Sequence, residues 1–209
     1  MRTGWRQSIV VGLAVTVGPL TAAAEDIRPY PMPPLNPSFQ QTPNQPQAQP
    51  PLLNQLAQTY STPKAVAKFL SQDFTFQRDE ELFGEEDHWQ APEEFAVRKT
   101  GDCEDYALLA SALLRRNGVD SFVFSILGEE GYAHTVAVFV DEKGRYDVIN
   151  QGELRNYRAK SLEALASAIN PGWTFAAIGE LEGTRGRIVR ALHNDRPAVA
   201  WDDPPTLEF

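Results

Sequence analysis

The only cysteine of the chain stands in Thr100-Gly101-Asp102-Cys103-Glu104-Asp105-Tyr106-Ala107, a stretch whose residue types place a nucleophile at a helix start. Asp102 reads as the N-cap, with an acid three residues on at Asp105. Tyr106, Leu109, Ala110, Leu113 and Leu114 then recur at helical spacing before Asn117-Gly118 ends the run. At the first position inside such a helix, Cys103 faces unpaired backbone N–H groups and the positive end of the macrodipole, which favour thiolate over thiol. Free cysteines more often serve as small buried hydrophobes, but the polar Gly-Asp-Cys-Glu-Asp setting argues against an apolar core position. The carboxylates of Asp102, Glu104 and Asp105 act the other way and raise the thiol pKa. Capping N–H groups or a bound cation would have to offset them.

A thiol needs a base, and the sequence after Gly118 supplies one. Ser121 to Leu127, His134 to Val140 and Arg145 to Asn150 read as strands, the last two joined by Asp141-Glu142-Lys143-Gly144 as a hairpin. A four-residue turn sets His134 opposite Gln151, or opposite Asn150 if the register shifts by one. His134 shares a face with Val136 and Val138, and Asn150 with Tyr146 and Val148, so the imidazole and the carboxamide come within hydrogen-bonding reach at one end of an apolar surface. Asp147 has the wrong parity but stays an alternative third member, since one bulge reverses parity. A thiol on a helix N-terminus, an imidazole and an orienting carboxamide are the parts of Cys-His-Asn nucleophilic catalysis. The N–H of Cys103 and the indole N–H of Trp89 are the oxyanion donors expected, with Trp89 as pocket wall the competing reading. His88 and His193 lie scattered and one cysteine does not complete a zinc site.

These motifs, with Asp87-His88-Trp89-Gln90-Ala91-Pro92-Glu93-Glu94-Phe95, Ala133-His134-Thr135-Val136 and Tyr146-Asp147-Val148-Ile149-Asn150, resemble the transglutaminase-like superfamily, in particular its bacterial transglutaminase-like cysteine proteinases. The resemblance spans about residues 60–152. It implies a papain-like α+β fold, with the nucleophile helix packed on an antiparallel sheet that carries His134 and the third member. It also implies an exported cysteine peptidase or amidase working through an acyl-thioester. Acyl transfer to an amine, or a catalytically idle module that binds a peptide or envelope protein, are the alternatives. The third member is usually aspartate in this family; Asn150 at the matching position is the type that papain-like enzymes use. In a calcium-dependent periplasmic branch, acids flanking the nucleophile take part in calcium binding, which points to Asp102 and Glu104. No other cofactor is implied.

Those elements need a domain to hold them. Arg2 and Arg6, an apolar run from Ile9 to Leu20 and Ala22-Ala23-Ala24 read as a signal peptide over 1–24, too short to span a membrane. The protein is therefore expected in the periplasm or outside the cell, with no membrane span after cleavage. Its formal charge of −9 becomes −11 once two arginines and no acid are removed, which disfavours nucleic acid and anionic membranes; the partner that export and the resemblance imply is a peptide or protein of the cell envelope. In an oxidising space a structural cysteine has a partner, and Cys103 has none in the chain. Residues 25–52, with nine prolines between 29 and 51, read as a disordered spacer; 53–193 as the transglutaminase-like domain; 194–209 as a Pro- and Asp-rich tail. Within the domain, Thr62-Pro63 and Pro92 open helices, Ser161 to Ile169 is a further helix, and Trp173 to Ile178 and Arg187 to Leu192 are weaker strands. The acids from Asp79 to Asp87 read as a solvated loop.

Overall fold

The structure, a computed structural model, describes residues 51–194. The signal-peptide segment, nearly all of the spacer and the tail beyond Asn194 lie outside them. Two helices come first, α1 (Leu52–Thr59) and α2 (Pro63–Asp73), the second capped by the Thr62 hydroxyl with Pro63 in its first turn. A short strand β1 (Thr75–Phe76), helix α3 (Asp79–Leu82), helix α4 (Pro92–Arg98) and strand β2 (Thr100–Gly101) lead to helix α5 (Cys103–Arg116). After it come β3 (Ser121–Gly128), β4 (Ala133–Val140), β5 (Tyr146–Asn150), β6 (Glu153–Ala159), α6 (Leu162–Ile169), β7 (Trp173–Glu182) and β8 (Arg185–His193).

The last six strands form one antiparallel sheet in the order β6-β5-β4-β3-β7-β8, while β1 and β2 pair in parallel. This is the α+β arrangement expected, with the Cys103 helix packed on an antiparallel sheet. Both sheet faces are covered. On one, α5 packs across β4 and β3, burying Leu109, Leu113 and Leu114 with Val123, Ala137, Phe139 and Ile149. On the other, Leu162 and Leu165 of α6 meet Phe124, Ile126, Val136, Val138 and Val148. Strand alternation thus feeds two cores, and the buried faces of α5 fix its axis against the sheet.

Three departures from the sequence expectations have physical causes. The β4–β5 ladder pairs Val138 with Val148, so neither expected register holds; continued, it sets Asn150 opposite Val136 and makes His134 its diagonal neighbour on the same face. Strand β6 was not anticipated, because Glu153-Leu154-Arg155-Asn156-Tyr157-Arg158 is polar edge sequence with weak β signal. The stretch from Asp79 is not a solvated loop throughout: Asp79 is only 2% exposed and its carboxylate accepts the His88 N–H.

Candidate active site

Cys103 is the first residue of α5, and Asp105 Oδ2 reaches back to accept the Asp102 N–H at 3.2 Å, the acidic arm of a capping box. The helix begins here because Gly101 leaves room: a Cβ on it would collide with the Asp105 carboxylate and the Gln90 amide. Cys103 is partly exposed, and its thiol donates a hydrogen bond to Glu104 Oε2 at 3.2 Å. The backbone N–H of Thr135 approaches the sulfur from β4, which sets the thiol against Thr135, the neighbour of His134 in the strand.

His134 Nε2 lies 2.8 Å from Asn150 Oδ1. A carbonyl oxygen only accepts, so Nε2 carries the hydrogen and Nδ1 is left with a lone pair. Burial lowers the imidazole pKa, opposed by the Asn150 contact and by the charge of Asp102. Tyr132, two residues earlier, packs a half-exposed ring 6.2 Å from that of His134. Asp147 goes elsewhere. It is buried opposite Phe139, and its Oδ1 accepts the N–H of Arg158 at 2.7 Å where β6 bulges and Arg158 takes a φ of 53°. The bulge lies on the β6 side, so it leaves the parity toward His134 unchanged.

Trp89 is 7% exposed, its ring against Gly179 and Gly186, and its indole N–H donates to Asp87 Oδ1 at 2.9 Å. In this structure the indole hydrogen expected to serve an oxyanion is engaged by Asp87, and the ring lies where a pocket wall would. The residue beside it was missed. Gln90 is fully buried, and nothing in its local pattern signals that its side chain ties Asp105 to the chain around it.

Acids crowd the thiol. Asp79, Asp87, Asp102, Glu104 and Asp105 fall into overlapping groups whose ligand atoms lie within 4.8 Å of one another. Burial, with the charges of Asp102 and Asp87 adding to it and the His88 N–H opposing it, pushes Asp79 up to about 6, and burial pushes Asp105 up to about 7. Asp102 and Glu104 are both raised, burial first and then, for Glu104, its contact with Asp102, since two buried carboxyls in contact do not both ionise cheaply. The Cys103 thiol is raised well above its ordinary value by burial and then by Glu104 and Asp102, with Thr135 N–H a partial offset. The helix terminus is outweighed by its own acids. Asp79 Oδ1 and Asp102 Oδ1 are buried with no hydrogen-bond partner, and such oxygens suit a hard cation.

No curated protein is similar to this chain. Among solved structures, it is similar to calcium-bound LapG of Legionella pneumophila, 19% identical over 66% of this chain and 90% of that one, TM-score 0.42. EGTA-treated LapG is 18% identical over 60% of this chain and 82% of that one, TM-score 0.40. A candidate cysteine protease from Cytophaga hutchinsonii is 14% identical over 72% of this chain and 54% of that one, TM-score 0.40. The family described as transglutaminase-like domain matches residues 52–167. With more than half of its length matched, from α1 through most of α6, the chain belongs to the transglutaminase-like domain family.

Proposed function

We propose that the protein is an exported cysteine hydrolase that cleaves a peptide or amide bond in a protein of the cell envelope, with Cys103 as nucleophile, His134 as base and Asn150 as the group that orients it. The observation that carries this reading is the His134 Nε2 to Asn150 Oδ1 contact at 2.8 Å, because it leaves Nδ1 as the proton acceptor on the strand that meets the thiol. The Cys103 proton passes to His134 Nδ1, and the sulfur attacks the carbonyl carbon. The N–H of Cys103 serves the resulting oxyanion. His134 returns the proton to the departing amine as the C–N bond breaks, leaving a thioester on Cys103. Water, deprotonated by His134, then releases the acid and the free thiol. An amine in place of water would give acyl transfer through the same groups.

The cation-free site is set against this chemistry, since the thiol hydrogen is held by Glu104 and the acids oppose its loss. The two unpartnered oxygens of Asp79 and Asp102 support a calcium site made with Glu104, and Asp87 lies in reach of Asp79 and Glu104. Calcium held there would supply the positive charge that offsets the acids beside the thiol. Every bond made or broken remains the work of the chain's own residues.

The test is to offer envelope protein extracts and a glutamine-containing peptide to the wild type and to Cys103→Ala, with calcium or with chelator. Cleavage products that need both Cys103 and calcium support hydrolysis. Amine incorporation without cleavage would assign acyl transfer, and no reaction with Cys103 intact under either condition would favour a binding module.

A further inference from the structure

The nucleophile end of α5 is held by a side chain that the proposed chemistry does not use. Gln90 and Asp105 are both 0% exposed, and every polar atom of the glutamine side chain is engaged. Its backbone N–H donates to Asp105 Oδ1 at 2.8 Å; its Nε2 donates to Asp105 Oδ2 at 2.6 Å and to the Thr100 carbonyl at 3.0 Å. Its Oε1 accepts from Arg98 Nε at 2.9 Å. Arg98 is held in turn by Glu94 at 3.0 Å and by the Phe83 ring, 5.0 Å from its guanidinium carbon. Phe83 stacks on His88 at 4.0 Å. One amide therefore joins the Phe83–Gln90 stretch, α4, β2 and the start of α5.

We propose that Gln90 is a positioning residue for Cys103: it fixes the Asp105 carboxylate, and through it the Asp102 backbone, so that the thiol stays against Thr135, the neighbour of His134 in β4. This rests on the proposed function above. The Asp105 carboxylate receives three N–H donors, two from Gln90 and one from Asp102. Water does not reach the pair to replace a lost donor, so without the Gln90 amide the buried carboxylate turns or shifts to find one. Either movement costs the Asp102 N–H its acceptor, one residue before the nucleophile. The pair has no slack, as the absence of room for a Cβ at Gly101 shows. A displacement of about 1 Å at a reacting atom is enough to cost roughly 100-fold. A purely structural network would lower the melting temperature and leave the thiol of the folded protein unchanged.

The experiment measures iodoacetamide alkylation of Cys103 in the full chain with saturating calcium, across pH 5 to 9, below the melting temperature of each variant. Gln90→Met is expected to slow the reaction about tenfold or more at neutral pH and to move its pH profile toward that of an ordinary thiol. Arg98→Met, which frees Gln90 Oε1, slows it by about threefold, and Arg98→Lys restores it because an ammonium still donates to that oxygen. A folded Gln90→Met with the wild-type rate and profile overturns the proposal. Should Gln90→Met fail to fold, the Arg98 pair decides: slowing by Met with recovery by Lys supports positioning, and a wild-type rate in both, or Lys no faster than Met, overturns it. A wild-type thiol that itself titrates as an ordinary one overturns the functional reading together with this one, whereas an activated wild type with unchanged variants overturns this one alone.

Discussion

Glu104 Oε2 accepts the hydrogen of Cys103 Sγ at 3.2 Å, so in the proposed mechanism Glu104 would compete with His134 for that proton. The expectation that a helix N-terminus activates the thiol is outweighed here by burial and by two adjacent acids.

Stability follows from the same acids. Asp79 and Asp105 are raised from 3.8 to about 6 and about 7, so in that window the folded chain binds more protons than the unfolded one. Stability contributed by such groups is present below about pH 4 and is lost as pH rises through their folded values. His134, lowered from 6.5, acts in the opposite sense, losing stability as pH falls below that value, but it is one group against several. In chelator, the melting temperature at pH 5 is expected to exceed that at pH 7.5 by about 3–8 °C. Calcium at pH 7.5 should recover most of the difference in wild type and little of it in Asp79→Asn. Scanning calorimetry checks this, and equal melting temperatures at the two pH values in chelator would contradict it.

Asp147 and Asn150 of β5 should separate cleanly. Asn150→Ala frees the imidazole to turn and is expected to lower kcat/KM by about tenfold or more, mostly in kcat, while Asn150→Asp keeps an acceptor on Nε2 and much of the rate. Asp147→Ala leaves the Arg158 N–H unpaired at a strained backbone position, so it should cost about 1–3 kcal/mol of stability with an unchanged kcat. Steady-state kinetics beside urea unfolding distinguishes the two; a large kcat loss in a folded Asp147→Ala would assign the third position to Asp147 instead of Asn150.

Trp89→Phe removes an N–H already bonded to Asp87 and keeps most of the ring. Its kcat should stay within about threefold of wild type, whereas loss of an oxyanion donor costs roughly 100-fold or more.

The α5 start, the hairpin and its polar pair are legible in the sequence because each is written in local terms: an acid three residues after a cap, apolar spacing of 3.6 or 2, and a four-residue turn. What is not legible depends on packing between distant stretches. Asp79 looks like one of many surface acids until the 79–90 segment folds over the start of α5 and buries it. Gln90 is an ordinary polar residue until its amide meets Asp105, 15 positions on. The partner of the Trp89 indole N–H, Asp87, is likewise set by packing, and the register at His134 turns on a one-residue difference that the turn sequence does not determine.

Gly101→Ala tests that packing. With no space for the new methyl between Asp105 and Gln90, the variant is expected to lose at least about 1–3 kcal/mol and to begin α5 poorly. Chemical denaturation gives the value, and wild-type stability would show that the pair yields easily.

The central claim is a thiol activated by His134, and the most direct measurement is the pH dependence of Cys103 alkylation by iodoacetamide in wild type and His134→Ala, with calcium and with chelator. Rapid labelling with calcium is expected well below the free-thiol value of about 8.5, slowed sharply by His134→Ala and by chelation. Labelling that follows an ordinary thiol titration in both proteins, with or without calcium, would contradict it.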